Sequence, residues 1–182
     1  GQSQCEECPS GYACEGLGTV EPSACPQGYY CPDGTEIATT YPCPNGTFGN
    51  ATRLKSESEC TTCPAGLYCG SEGLTSPSGE CNAGHYCGMG SDTASPDALD
   101  SRGIYVGDSC NDADWNASVN GVCPRGHACP MGSSAPVRCP SGTFGNTTGL
   151  TNVSQCTPCT SGYYCPMTGQ VGRTKLCSAG YY

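Results

Sequence analysis

The chain has 182 residues, of which 19 are Cys, 27 Gly and 15 Pro, with only two Phe and one Trp. Large apolar side chains are therefore too scarce for an ordinary core, and cysteine at this density predicts a disulfide scaffold made in an oxidising compartment. The formal net charge is −9 and the seven basic residues stand singly, so no basic stripe is present that would bind nucleic acid.

No apolar run approaches the roughly 20 residues that a helix needs to cross a bilayer. No signal peptide precedes Gly1. We therefore expect a mature or excised piece of an extracellular or cell-surface protein, with any membrane attachment outside these residues.

The chain opens on CEECPSGYAC (residues 5–14), which matches the second half of a unit that returns in full further along. That unit spans residues 43–69 and again 139–165, and 16 of its 27 positions are identical in the two copies, including all four cysteines. Repetition of this kind predicts tandem modules rather than one core. We expect cysteine-rich repeats over 1–42, 43–87 and 123–182, and an insertion over 88–122.

A turn motif punctuates these repeats. At nine cysteines a Cys-x-x-Gly stretch begins, and in eight of the nine an aromatic residue follows the Gly within two positions. Pro fits the second position of a type I turn and Gly its fourth, so the motif predicts a turn of that type. The aromatic rings could form a stacking surface for sugars, but their fixed place in the repeat favours packing on neighbouring disulfides in place of the missing core.

The insertion over residues 88–122 breaks the repeat and holds Cys110 and the only Trp, Trp115. We expect Trp115 to contact a neighbouring subunit, since Trp is enriched at the energetic centres of interfaces. Three acidic residues of the insertion suggest a calcium loop, but the full EF-hand spacing and its closing Glu are missing, so a solvated acidic turn is favoured. These residues are Asp108, Asp112 and Asp114.

Catalytic and metal chemistry are disfavoured by the same pattern. Three CxxC motifs could suggest zinc, but the intervals between them are long and filled with other cysteines. The only histidines, His85 and His127, both occupy the position after the turn Gly, so neither is placed as a base for a nucleophile. We therefore expect no enzymatic activity and no cofactor. The CxxC motifs are Cys5/Cys8, Cys60/Cys63 and Cys156/Cys159.

Five N-x-S/T triplets, all without Pro at the middle position, point to the secretory route and to N-linked glycan. Asn50 and Asn146 fall at the same point of the repeat, so we expect them to display glycan on the same side of successive units. The triplets begin at Asn45, Asn50, Asn116, Asn146 and Asn152.

Nineteen cysteines is an odd number, so at least one lacks a disulfide partner within the chain. The repeat pattern nominates Cys5 and either Cys165 or Cys177, whose partners we expect beyond these residues or in an adjoining subunit. The chain both begins and ends within a repeat, so we expect it to be one segment of a longer continuous structure.

The stretch CPNGTFGN…CTTCPAGLYC and its copy resemble the cysteine-rich repeats of ephrin-receptor ectodomains, which are akin to TNF-receptor-like and EGF-like modules. The resemblance implies disulfides between Cys43 and Cys60 and between Cys139 and Cys156. It also implies a small disulfide-rich fold with little helix, in which β-hairpin modules stack into an elongated rod. Long arrays of this kind also resemble protist and algal surface proteins, including those of flagellar hairs.

These observations lead to the hypothesis of an extracellular structural protein, a disulfide-stapled and N-glycosylated rod that self-associates into a filament, appendage or coat. The alternative is a receptor-like ectodomain that binds a protein ligand. A secreted inhibitor or toxin-like domain is disfavoured because those are short closed units. A binding module should concentrate apolar groups on one face, whereas a polymer should carry matching patches at both ends.

Overall fold

The computed structural model describes residues 5–97, 120–173 and 175–181. Within them the chain forms eight small modules in tandem, and no α-helix occurs in these ranges. We number the modules 1 to 8 by their first cysteines, which are Cys8, Cys25, Cys43, Cys63, Cys81, Cys123, Cys139 and Cys159.

Each module is a hairpin that follows one plan. A Cys-x-x-Gly turn leads into a two-residue strand, a loop follows, and a second two-residue strand ends directly before the first cysteine of the next module. Seven modules form a two-stranded antiparallel ladder, whereas in module 2 the hairpin is reduced to the single bridge Tyr29↔Pro42. The strand pairs are β1 Tyr12–Ala13 with β2 Ser23–Ala24, β3 Thr47–Phe48 with β4 Thr61–Thr62, β5 Leu67–Tyr68 with β6 Gly79–Glu80, β7 His85–Tyr86 with β8 Gly121–Val122, β9 His127–Ala128 with β10 Val137–Arg138, β11 Thr143–Phe144 with β12 Thr157–Pro158, and β13 Tyr163–Tyr164 with β14 Lys175–Leu176.

Two short 3-10 helices, Glu57–Glu59 and Val153–Gln155, lie in the long loops of modules 3 and 7. These are the two copies of the 27-residue unit. The second helix begins with a capping box, in which the Asn152 side chain accepts the backbone N–H of Ser154 at 2.9 Å.

Every module is closed by one disulfide. In six modules the bond joins cysteines six positions apart, and in modules 3 and 7 it joins cysteines 17 apart. The two long pairs are Cys43 with Cys60 and Cys139 with Cys156, the pairing that the family resemblance implied. Closing a loop of that length stabilises the fold by about 3 kcal/mol through the entropy lost from the unfolded chain. The short pairs are Cys8–Cys14, Cys25–Cys31, Cys63–Cys69, Cys81–Cys87, Cys123–Cys129 and Cys159–Cys165.

The buried core of the described residues consists mainly of these cystines. Beside 14 buried cysteines it contains only Phe48, Phe144, Tyr86 and two alanines as apolar residues. Phe48 of module 3 packs on Cys63 and Cys69 of module 4. Tyr86 of module 5 likewise packs on Cys123 and Cys129 of module 6. In these two cases the ring of one module covers the disulfide of the next, as the sequence suggested.

The turn glycine links each module to its successor. The N–H of Gly46 in module 3 donates to the C=O of Cys69 at 2.9 Å, and the C=O of Gly46 accepts the N–H of Cys63, also at 2.9 Å. The same pair of bonds joins all seven consecutive pairs of modules. Where the following module is module 3 or module 7, the turn-glycine N–H donates to the C=O of Gly49 or Gly145 instead of the C=O of the second cysteine. Both backbone groups of this glycine are therefore committed to the following module.

A second pair of bonds runs the other way, from the loop of the next module. The N–H of Gly73 in module 4 donates to the C=O of Cys43 at 2.9 Å, and the neighbouring Leu74 C=O accepts the N–H of Gly49 at 2.8 Å. This pair also recurs at all seven junctions, so four backbone hydrogen bonds hold each junction. We call the donating residue the loop glycine. It is Gly34, Gly73, Gly90, Gly132, Gly149 or Gly169 in modules 2, 4, 5, 6, 7 and 8, and Arg53 in module 3.

The turn differs from the type I turn that the sequence predicted. The Thr47 N–H donates to the Pro44 C=O at 3.0 Å, so Pro44 is the first residue of the turn and Gly46 the third. Gly46 has φ +79°, the value that a type II turn requires at that place. The type I prediction is therefore wrong, and the positive φ is the physical reason that this position is glycine.

Modules two apart also touch, again through the turn glycine. A Cβ added to Gly46 would lie 2.5 Å from the carbonyl oxygen of Gly90, the loop glycine two modules later. The turn glycines of modules 2, 4, 5 and 6 are about as close to a loop-glycine carbonyl two modules later, and that of module 1 is about as close to the carbonyl of Arg53. At Gly142 of module 7 and Gly162 of module 8 the same Cβ would meet nothing within 4 Å.

Arg53 is the only described residue other than glycine with a positive φ, +66°. It stands where the second copy of the 27-residue unit has Gly149. Its guanidinium lies 5.1 Å from the centre of the Tyr12 ring in module 1, a cation–π contact that spans two modules. This contact offsets part of the roughly 1–2 kcal/mol cost of the left-handed backbone.

Both ends of the stretch 88–122 take part in the regular elements of the fold. Gly90 and Ser91 supply the bonds of a regular junction, and Gly121–Val122 form the second strand of module 5. Trp115, Cys110 and Asn116 lie outside the described residues, as do the three Asp of the suggested calcium loop.

The two copies of the 27-residue unit provide a matched test of the contact between modules two apart. Gly46→Ala should lower the free energy of unfolding by more than about 2 kcal/mol. The alanine would be strained by the positive φ, and its Cβ would lie only 2.5 Å from the Gly90 carbonyl oxygen. Gly142→Ala has the same φ problem in open space and should cost only about 1–2 kcal/mol. Denaturant unfolding under non-reducing conditions measures both variants. Equal losses would mean that the second-neighbour contact contributes nothing to stability.

Candidate interaction surface

The candidate functional site is the face of module 8 on which a further module would stack. In module 8 the Gly162 N–H, the Cys159 C=O and the Cys165 N–H have no hydrogen-bond partner among the described residues. In modules 1 to 7 the equivalent groups are bonded to the next module, with the N–H of Gly49 or Gly145 in place of the second cysteine's N–H in modules 3 and 7. We call the three groups, together with the open space at Gly142 and Gly162, the open face.

The side chains beside the open face are also unusually exposed. Tyr164 is 42% exposed, whereas its equivalents Phe48 and Tyr86 are 8% and 2% exposed because each covers the cystine of the next module. Tyr163 and Leu176, which pair across the module 8 hairpin, are exposed as well. The guanidinium of Arg173 lies 4.8 Å from the centre of the Tyr163 ring. The open face is therefore an apolar surface with unused backbone donors and acceptors.

Residues 177–181, which we call the tail, occupy one corner of this face. The Cys177 N–H donates to the Gly162 C=O at 2.9 Å, which is one of the four bonds of a regular junction. The only other backbone bond of the tail among the described residues is internal, from the Tyr181 N–H to the Ser178 C=O. Residues 178–181 are exposed. The tail is thus held by far fewer contacts than a complete module.

Module 1 carries the complementary side of a junction. Its loop contains Gly18, which has φ +72° and open space around it, and the neighbouring Leu17 and Val20 are almost fully exposed. The Cys14 C=O, the Gly18 N–H and the Thr19 C=O have no partner among the described residues. These are the groups that modules 2 to 8 present to the module before them.

Cys5 and Cys177 form no disulfide within the described residues, and both had been nominated as lacking an internal partner. Of the two alternatives Cys165 and Cys177, the structure excludes Cys165, because Cys165 is bonded to Cys159. Cys165 is the second cysteine of a short module, and such a cysteine pairs six residues back in every short module. Cys177 directly follows the module 8 hairpin, at the position that the first cysteine of the next module takes elsewhere in the chain.

The four N-x-S/T triplets within the described residues all present an exposed asparagine. Asn50 and Asn146 directly follow the glycine that takes part in a junction, so each lies at the same point of its module. Asn45 lies within the module 3 turn, and Asn152 caps a 3-10 helix. None of the four is hindered by burial.

The two histidines considered for catalytic chemistry lie in the strands of modules 5 and 6, and of the CxxC cysteines only Cys159 belongs to the open face. His127 is buried with Nδ1 3.0 Å from the Arg125 C=O, whereas the buried Nδ1 of His85 has no hydrogen-bond partner among the described residues. Burial raises the pKa of the neighbouring Tyr86 phenol above its ordinary value. Five of the six CxxC cysteines are in disulfides, and the described ranges contain no group of three or more His, Cys, Asp or Glu placed to hold a metal ion.

No helix in the described ranges combines the length and the apolar character needed to span a bilayer. No protein-family model matches the chain, and no curated protein does. The likeness to ephrin-receptor repeats therefore rests on the sequence motifs alone.

We predict that Asn50 and Asn146 carry N-linked glycan in material from the native source. Treatment with peptide N-glycosidase should convert both residues to Asp, which peptide mass spectrometry detects as a gain of about 1 Da on each peptide. Thr52→Ala and Thr148→Ala remove the two triplets and serve as controls that should abolish the conversion. Unmodified Asn at both positions in the untreated protein would refute the prediction.

Proposed function

We propose that the chain is an extracellular structural protein, in which disulfide-closed modules form an elongated, N-glycosylated rod that builds a filament, appendage or coat. The observation that carries this proposal is the four-bond junction, which recurs at all seven boundaries between consecutive modules. A junction that is repeated in this way along the chain is suited to a protein that forms a continuous elongated structure.

The contact pattern supports a linear arrangement. The junction bonds join consecutive modules, and the turn glycines touch modules two apart. In repeat proteins whose units contact only near neighbours, the structure grows along one axis and stability is a sum of unit and interface contributions. An elongated rod is the arrangement that we propose for this chain on these grounds.

The chemistry of the core supports an oxidising location. Eight disulfides close the eight modules, and 14 of the 19 buried apolar residues among those described are cysteines. Small modules without such bonds have too little core to fold alone. The oxidising environment outside the cell keeps such bonds intact, so we propose an extracellular or cell-surface location.

The distribution of exposed apolar residues favours a polymer over a receptor-like ectodomain. The four most exposed large apolar residues among those described are Leu17 and Val20 of module 1, and Leu176 and Tyr181 at or after module 8. They are divided between separate modules, whereas a ligand-binding ectodomain should gather such groups on one face.

Small-angle X-ray scattering of the dilute, non-reduced chain tests the proposed shape. A compact domain of this length has a radius of gyration of about 16 Å, and we predict a value clearly above that for a rod. Chain treated with reductant and denaturant provides the unfolded reference at about 45 Å. A dilute, oxidised monomer with a value close to 16 Å would contradict the proposed rod.

A further inference from the structure

We infer that two copies of this chain pair side by side, in opposite directions, through the charged surface of their even-numbered modules. The inference rests on the proposed function, because it specifies how two copies of the rod associate laterally. In the pair, module 2 of each copy faces module 8 of the other, and module 4 faces module 6. The partner is a second copy of this chain, held by complementary charge.

The even-numbered modules form a continuous column. A Cβ added to Gly28 of module 2 would clash with the Gly73 carbonyl of module 4. The same close approach joins modules 4 and 6, through Gly66 and Gly132, and it also joins modules 6 and 8. The odd-numbered modules touch one another in the same way, so they form a second column beside the first. We call the exposed surfaces of these two columns the even side and the odd side.

The charge of the even side changes sign along the column. Modules 2 and 4 (residues 25–42 and 63–80) contain four acidic residues and no basic residue. Modules 6 and 8 (residues 123–138 and 159–176) contain four basic residues and no acidic residue. The even side therefore carries −4 over its first two modules and +4 over its last two. The eight side chains are all exposed: Asp33, Glu36, Glu72 and Glu80, and then Arg125, Arg138, Arg173 and Lys175.

Two of these side chains show that the opposite charges share one side of the column. Glu80 is the last residue of module 4, and a Cβ added to Gly132 of module 6 would lie 3.6 Å from its carboxyl carbon. Arg138 is the last residue of module 6, and its side chain lies equally close to Gly169 of module 8. The same position of the repeat thus carries a carboxylate at one step of the column and a guanidinium at the next.

The odd side shows no such reversal. Module 1 contains two acidic residues and no basic residue, and module 5 contains six acidic residues and one basic residue. Module 3 contains two of each sign, and module 7 contains no charged residue. No odd-numbered module has an excess of positive charge. A second copy therefore finds complementary charge on the even side only.

The order of the charges selects the antiparallel arrangement. Two copies placed in the same direction and in register would bring acidic modules against acidic modules, which is repulsive. When one copy is reversed, the −4 of each copy faces the +4 of the other, and all eight charges of each even side are matched. Both copies use the same surface, so the contact closes with two copies. A parallel arrangement shifted by four modules would match only half of each even side in one contact.

Sedimentation equilibrium of the oxidised 182-residue chain at several salt concentrations tests the pairing. We predict a monomer–dimer equilibrium at about 0.01 M salt that shifts to monomer at about 1 M salt. The reason is that the distance over which exposed charges interact falls from about 30 Å to about 3 Å between these concentrations.

Charge reversal identifies the side that pairs. Glu72→Lys should weaken dimerisation about tenfold, because each dimer loses two attractions and gains two repulsions. Glu21→Lys is the matched control, because Glu21 is also exposed but lies on the odd side in module 1. Both substitutions change the formal net charge from −9 to −7, so an effect of net charge alone would be the same for both and would favour association. Glu21→Lys should not weaken dimerisation.

Double variants identify the direction. Arg125→Glu in module 6 should restore dimerisation of the Glu72→Lys variant, since module 4 faces module 6 and the two reversed charges attract each other again. Lys175→Glu in module 8 should not restore it. Rescue by Lys175→Glu in place of Arg125→Glu would indicate a shifted parallel contact and would overturn the antiparallel pairing. Non-reducing peptide mapping should show all eight disulfides intact in every variant, which excludes misfolding as the cause of a weaker dimer.

A chain that stays monomeric at low salt would overturn the pairing, and so would a dimer that is insensitive to salt or is weakened equally by Glu21→Lys and Glu72→Lys. Small-angle scattering separates this failure from failure of the proposed function. An elongated monomer would reject only the pairing, whereas a compact monomer would reject the proposed function as well.

Discussion

The structure depends on one constraint, the position of the glycine in each Cys-x-x-Gly turn. This residue needs a positive φ, in modules 1 to 7 gives its N–H and its C=O to the following module, and in modules 1 to 6 touches a carbonyl two modules further on. A side chain would disturb the turn and, in these six modules, the contact with the second neighbour. Because the same residue meets all these demands, the local turn and the order of modules are specified together.

The rest of the fold follows from how little apolar material the chain contains. With two Phe and one Trp in 182 residues, the modules rely on cystines for their interior and on backbone hydrogen bonds for their boundaries. Each net backbone bond contributes about 1 kcal/mol, so a junction of four is a substantial interaction for a hairpin of this size. Stability is thereby spread along the series of modules.

The sequence predicted those features of the fold that depend on side chains. The 27-residue copies predicted tandem modules, and the place of Phe48 and Tyr86 in the repeat predicted that rings cover disulfides. The sequence did not predict the junctions, because they are made by main-chain donors and acceptors, which are the same in every residue type. Only the recurring need for glycine at the turn and loop positions marks them in the sequence, and in module 3 the loop position is Arg53 instead of glycine. The short pairing, and with it the partner of Cys165, was missed because spacing alone does not fix disulfide connectivity.

The central claim is that backbone bonds of the turn glycines and cysteines join each module to the next. Residue-resolved amide hydrogen exchange of the dilute, oxidised chain tests this claim most directly, since it reports the opening of individual bonds. The account predicts slow exchange at the N–H of Gly46, Gly66 and Gly84, which are bonded across junctions, and fast exchange at the N–H of Gly162. Exchange at Gly162 as slow as at the other three, or fast exchange at all four, would contradict the account.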